Sequence, residues 1–246
     1  MLIIGNWKAY IESDTKAKAL YAGAKQLAAK STHEIVVAPA APYIGMFAGS
    51  KAKVALAAQD VSVTTGGAQT GEVSAGLLAQ LGVAYVIVGH SERRAHGETD
   101  EVIAEKVRHV LAHGMTPVLC IGETERDQDA QYLKAVRAQI SAVMSALSAK
   151  ERLAIVIAYE PVWAIGKSGS EAITATDLGE MVLYIRKILA DFIPGRANAK
   201  VRIIYGGSVD PANIRALGSG TGVEGFLPGR ASTDVATFSA LVKAIS

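Results

Sequence analysis

Short apolar runs alternate with longer segments of helical patterning along this chain, eight times over. The runs are Leu2–Gly5, Ile35–Ala38, Val54–Ala58, Tyr85–Val88, Pro117–Ile121, Ala154–Tyr159, Arg202–Tyr205 and Gly225–Leu227. Most are apolar throughout rather than alternating, which predicts strands buried on both faces and therefore paired in parallel. The segments between them are Thr15–Ala29, Pro42–Gly49, Ser74–Leu81, Asp100–His113, Ala130–Leu147, Asp177–Phe192, Pro211–Leu217 and Thr233–Ile245. Each reads as an amphipathic helix. Ser13-Asp14 and Thr99-Asp100 are helix start signals, and Gly114 is a stop. Strict strand–helix alternation predicts an α/β fold with a parallel sheet. Eight repeats favour a closed (β/α)8 barrel over an open doubly wound sheet. No low-complexity tract or charge run interrupts the chain, so residues 1–246 read as a single domain.

Composition narrows this further. With 246 residues and 50% hydrophobic content, the chain is long enough for one such barrel. Lys and Arg number 25 against 23 Asp and Glu, a net charge of +2 with no block of like sign. That balance points to neither nucleic acid nor an anionic membrane surface. No apolar run reaches the ~18 residues of a membrane helix, and the N-terminus lacks the basic-then-apolar pattern of a signal peptide. The lone Cys120 excludes an intrachain disulfide and fits a reducing compartment. The expectation is a soluble cytoplasmic protein.

In a (β/α)8 barrel the chemistry lies at the carboxyl ends of the strands. The sixth predicted strand ends in Glu160, whose geometry Pro161 fixes as extended. Apolar Val162, Trp163, Ala164 and Ile165 follow, then Gly166 and Gly169. Four apolar residues in a surface loop suggest a lid attached to a base, although a merely solvated strand-end glutamate would read the same. Asn6 and Lys8 follow strand 1, and a lysine there either neutralises an anionic substrate or is simply solvated. His90 follows strand 4 and precedes Ser91-Glu92-Arg93-Arg94. A helical turn opening there would keep its imidazole neutral and able to polarise a carbonyl. A packed core histidine fits equally well. The turns Gly206–Ser208 and Gly229–Ser232 follow strands 7 and 8, the usual phosphate site of this architecture, where small residues let backbone N–H groups converge on an anion. Plain turn chemistry remains open for each. The five histidines and Cys120 show no metal-ligand spacing. No Gly-x-Gly-x-x-Gly follows strand 1, so no dinucleotide is expected. The residues describe a barrel without metal or cofactor, built for proton transfer beside a carbonyl on a phosphorylated substrate.

The motifs Gly5-Asn6-Trp7-Lys8, Ala68-Gln69-Thr70-Gly71-Glu72, Gly89-His90-Ser91-Glu92-Arg93-Arg94, Cys120-Ile121-Gly122-Glu123-Thr124, Tyr159-Glu160-Pro161-Val162-Trp163-Ala164-Ile165-Gly166 and Tyr205-Gly206-Gly207-Ser208-Val209 span the whole chain. Together they resemble the triosephosphate isomerases, a family that is itself the standard example of a glutamate base beside a neutral histidine. The resemblance implies a TIM barrel that interconverts dihydroxyacetone phosphate and D-glyceraldehyde 3-phosphate in glycolysis and gluconeogenesis, without a cofactor. It makes Glu160 the base and His90 the electrophile. Lys8 and Asn6 stabilise developing charge, and Gly166, Ser208, Gly229 and Arg230 hold the phosphate. Glu92 and Cys120 support the site. Thr70 and Glu72 lie on the loop with which one subunit of a homodimer reaches its partner. Two places depart from the family pattern. The lid continues Lys167-Ser168-Gly169-Ser170-Glu171 where the family usually has Thr-Gly-Lys-Thr-Ala. Strand 8 leads into Pro228-Gly229-Arg230 where the family usually has Val-Gly-Gly. Two other classes compete on the residues alone. A Schiff-base aldolase would place a lysine inside a strand near the barrel centre. A non-catalytic scaffold of the same descent would have lost Lys8, His90 or Glu160.

Overall fold

A computed structural model of the chain describes residues 1–127, 129–167 and 172–245. Eight parallel strands close into a barrel in chain order: β1 (Leu2–Asn6), β2 (Glu34–Ala38), β3 (Ala55–Ala58), β4 (Val83–Val88), β5 (Thr116–Ile121), β6 (Val156–Tyr159), β7 (Arg202–Tyr205) and β8 (Gly225–Phe226). The helices are α1 (Asp14–Lys30), α2 (Ala41–Phe47), α3 (Ala75–Gln80), α4 (Ser91–Ala95), α5 (Asp100–Ala112), α6 (Gln131–Ser145), α7 (Ala175–Phe192), α8 (Ile214–Gly218) and α9 (Val235–Ala244). The expected (β/α)8 barrel is present, and Ser13 and Thr99 cap α1 and α5 as anticipated, each hydroxyl accepting a first-turn N–H.

The strands are apolar on both faces because both faces are covered. Leu2, Ile4, Val36, Ala57, Ile87, Val118, Ala158 and Ile204 fill the barrel interior. Their sequence neighbours Ile3, Ile35, Val37, Ala58, Val86, Leu119, Ile157 and Ile203 pack beneath the helices. The period of two that defines a strand is thus present but hidden, since hydrophobic residues serve both sides. β8 closes on β1 through Leu2↔Gly225 and Ile3↔Phe226. A methyl at Gly225 would lie 2.0 Å from the Leu2 carbonyl oxygen, so only glycine permits this approach.

Two of the boundaries that differ from expectation have a visible side-chain cause. Ala154, expected in the sixth strand, ends a 3-10 turn over Glu151–Ala154. The side chain of Arg152 donates from Nε to the Met144 carbonyl and from Nη1 to that of Phe192, which holds the turn off the sheet. Residues 211–213, expected to be helical, form a turn. Asp210 Oδ1 accepts the N–H groups of Ala212 and Asn213, an Asx-type alternative that competes with helix formation. At the amino-terminal end of the barrel, Arg202 donates to Glu34 at 2.7 Å and to the Tyr85 hydroxyl at 3.0 Å, and that hydroxyl also donates to Glu34. This end is tied shut, and the opposite end carries the site.

Candidate active site

Asn6 ends β1, and the chain then turns sharply. Trp7 is buried, edge-on to Phe47, which in turn stacks on Tyr21 at 4.1 Å. With its neighbour anchored, Lys8 takes φ 45°, and Ala130 is the only other described non-glycine residue with positive φ. That conformation costs a side-chain-bearing residue about 1–2 kcal/mol and is a mark of functional positions. The Lys8 N–H donates to Asn6 Oδ1 at 3.0 Å, and its ammonium reaches Glu92 Oε1 at 2.7 Å. Burial alone would push the Glu92 carboxyl up. The Lys8 hydrogen bond and charge, with His90 and His96 nearby, outweigh it and hold Glu92 below its ordinary value.

His90 stands where β4 passes through Gly89, φ 70°, into α4. Its Nδ1 accepts the Glu92 N–H at 3.1 Å. An N–H aimed at Nδ1 leaves no place for a proton there, so the hydrogen-bond network assigns the neutral tautomer with its proton on Nε2. The helical turn expected to open at Ser91 is present as α4. Arg94 fixes the approach to His90 by donating from Nε to the Gly89 carbonyl at 2.8 Å and from Nη2 to the Cys120 carbonyl at 3.2 Å.

Glu160 follows β6 and is 2% exposed. Its Oε2 accepts the Ser91 N–H at 3.0 Å. Its Oε1 lies 3.4 Å from His90 Nε2 and has no hydrogen-bond partner among the described residues. A buried oxygen left unpaired costs about 1–3 kcal/mol. Two glycines make the space: a methyl at Gly122 would fall 1.9 Å from the Glu160 carbonyl oxygen, and one at Gly206 would fall 2.8 Å from its Cγ. Burial, reinforced by the Glu160 charge, pushes the Cys120 thiol well above its usual value, so it stays protonated beside the base.

A cleft of about 300 Å³ opens among Asn6, Lys8, His90, Gly166, Ser208, Gly229 and Arg230. The two turns thus meet where expected, after β7 and β8. The N–H groups of Ser208, Gly229 and Arg230 show no acceptor among the described residues, and that of Gly166 donates to Ser208 Oγ at 2.7 Å. Arg230 has negative φ and opens a 3-10 turn, Arg230–Ser232, as expected for a residue replacing glycine there. Its side chain is exposed and makes no hydrogen bond or ion pair with the described residues. The Pro228 carbonyl accepts the Asn6 N–H at 2.9 Å, so this proline extends the β8–β1 contact through its acceptor.

The residues after Glu160 form a 3-10 turn, Val162–Ala164. Buried Glu123 holds it. Its carboxylate accepts from Trp163 Nε1 at 2.7 Å and from the Tyr159 hydroxyl at 2.9 Å, and its carbonyl accepts the Val162 N–H at 3.0 Å. Arg126 lies over the Trp163 ring, 5.1 Å from its centre, and pairs with Asp177. The sequence marked Glu123 as part of a motif but gave it no role. Its partner Trp163 is forty positions away, and no spacing signal links them. The variant lid residues Ser168–Glu171 lie outside the described residues. Thr70 and Glu72 are not in the cleft; they sit on an exposed loop. Among the described residues, no group of three His, Cys, Asp or Glu side chains is placed to hold a metal ion, and no helix is long and apolar enough to cross a membrane.

Sequence comparison bears on the chain as a whole. The sequence model of the triosephosphate isomerase family matches residues 1–245. A triosephosphate isomerase of Thermus thermophilus is 40% identical over 99% of this chain and 98% of its own length. That of Roseiflexus castenholzii is 41% identical over 100% and 97%, and that of Cupriavidus necator 42% over 98% and 97%. With the whole barrel and every motif of the cleft covered, this chain belongs to the triosephosphate isomerase family.

Proposed function

We propose that Glu160, His90, Lys8 and Asn6 carry out the isomerisation of dihydroxyacetone phosphate to D-glyceraldehyde 3-phosphate, a step of glycolysis and gluconeogenesis. The observation that carries the assignment is the buried Glu160 carboxylate, with one unpaired oxygen 3.4 Å from the Nε2 of a neutral imidazole. Glu160 leaves the Ser91 N–H and takes the proton from C1 of the ketone. The electron pair moves to the C2 carbonyl oxygen, where the His90 Nε2–H donates and the Lys8 ammonium offsets the charge. His90 then moves a proton between the two enediolate oxygens, and Glu160 returns its proton to C2. Atoms balance without cofactor or metal. The phosphate sits against the N–H groups of Ser208, Gly229 and Arg230. The Gly166 N–H joins them once it gives up Ser208 Oγ, which couples lid movement to binding. A coupled assay for glyceraldehyde phosphate from the purified chain tests the reading, and no product would overturn it.

Arg230 contributes its backbone N–H rather than its guanidinium. Arg230→Gly is therefore expected to change kcat/KM by less than about tenfold, ~1.4 kcal/mol. Steady-state kinetics check this, and a hundredfold rise in KM would show the side chain gripping the phosphate itself.

The active form is a homodimer. The segment from Gly66 through Glu72 is exposed at every residue and includes Thr70. Val63 nearby is exposed, and a cavity of about 620 Å³ lined by Ile44, Val61, Val63 and Arg93 also touches Gly71 and Glu72 of the segment. A second copy's loop would fill that cavity and cover that face. Light scattering at micromolar concentration is expected to give twice the chain mass, and a fully active monomer would contradict it. The lone buried Cys120 is free, which supports placing the protein in the reducing cytoplasm. The single closed barrel supports reading residues 1–246 as one domain.

A further inference from the structure

We infer that Gln59 is a positioning residue for the proposed catalytic Lys8. Lys8 is held at φ 45° just after β1. One peptide group is gripped on its amino side, where the Lys8 N–H meets Asn6 Oδ1 at 3.0 Å. The other is gripped on its carbonyl side: Gln59 Nε2 donates to the Lys8 carbonyl at 3.0 Å and to the Ala38 carbonyl at 2.9 Å. Both contacts are carbonyl oxygens, so the nitrogen end of the amide must face them. The Ala38 carbonyl also accepts the Trp7 N–H at 3.1 Å. Gln59 thus joins the carboxyl ends of β1, β2 and β3 at one point. A strained backbone persists only where its surroundings over-determine it, and here an acceptor on one side of Lys8 and a two-pronged donor on the other do so. Without Gln59 the Lys8 carbonyl loses its donor, the backbone relaxes toward negative φ, and the ammonium moves with it. Asn6 alone does not prevent this, because its bond constrains the opposite peptide.

The inference rests on the proposed role of Lys8, and a double-mutant cycle separates the two. We expect Gln59→Leu to lower kcat/KM about tenfold to a hundredfold, the scale of a ~1 Å misplacement, with the mass by light scattering and the melting temperature close to those of the parent. In the Lys8→Ala background the same change is expected to cost less than twofold, because a residue acting through Lys8 has nothing left to position. Full multiplication of the two losses would overturn the inference. If Lys8→Ala alone kept parental activity, the role of Lys8 would fall, and this inference with it. Should Gln59→Leu not fold, Gln59→Glu keeps the length of the side chain and loses the donors when ionised. Its activity relative to the parent should recover as pH falls and a protonated carboxyl donates to the Lys8 carbonyl. A pH-independent deficit would overturn the inference as well.

Discussion

Shortening Glu160 to aspartate is expected to lower kcat about 100-fold while KM changes little. The substitution withdraws the carboxylate by one methylene, roughly 1 Å, and misplacement on that scale can cost about two orders of magnitude in rate. The interaction that is lost belongs to the transition state, so the loss falls on kcat. Little else should change. The barrel wall around the carboxylate is set by Gly122 and Gly206, and the Glu160 N–H keeps its bond to the Ile121 carbonyl at 2.8 Å. Steady-state kinetics with a melting curve check this. A near-normal kcat would remove Glu160 from the role of base.

Gly122→Ala is expected to damage stability and rate together. An added methyl would lie 1.9 Å from the Glu160 carbonyl oxygen and 2.6 Å from its carbon, and both are backbone atoms that cannot swing aside. Gly122 cannot retreat either, because Gln139 accepts its N–H at 2.8 Å and donates to its carbonyl at 3.0 Å. Overpacking of this kind costs about 1–3 kcal/mol, and in a chain this long each kcal/mol lowers the melting temperature by about 2–4 °C. Glu160 would move with its backbone, so a loss of at least about tenfold in kcat/KM should accompany it. Gly179→Ala is the control. Its methyl would meet Thr221 at an ordinary 3.7 Å. If Gly122→Ala behaved like that control, the close packing of β5 and β6 behind the base would not matter.

Much of this was legible in the sequence because strand ends mark themselves. An apolar run stops at Glu160, at Gly89-His90 and at Asn6, and in a parallel barrel every such stop faces the same end. The paired turns after β7 and β8 were legible for the same reason. Arg230 was readable as a residue that avoids positive φ, since the cost of the alternative is known. Other features depend on partners that no local pattern reveals. Gln59 is 51 positions from Lys8, and Glu123 is 40 from Trp163. Ala154 was misread because apolar composition does not distinguish a strand from a turn that Arg152 holds away from the sheet. Residues 211–213 were misread because a proline and an aspartate near a helix start serve equally well as a turn. The strain at Lys8 was also invisible, since it comes from Trp7, Asn6 and Gln59 acting together.

In the proposed reaction Glu160 moves a carbon-bound proton of a triose phosphate. Proton NMR of dihydroxyacetone phosphate incubated with the enzyme in D2O tests it most directly. A carboxylate that holds the abstracted proton exchanges a fraction of it with solvent in competition with returning it to carbon. The expected product is glyceraldehyde 3-phosphate carrying deuterium at C2, formed at least about 100-fold more slowly with Glu160→Gln. Product formed at the same rate by both proteins would contradict the role of Glu160.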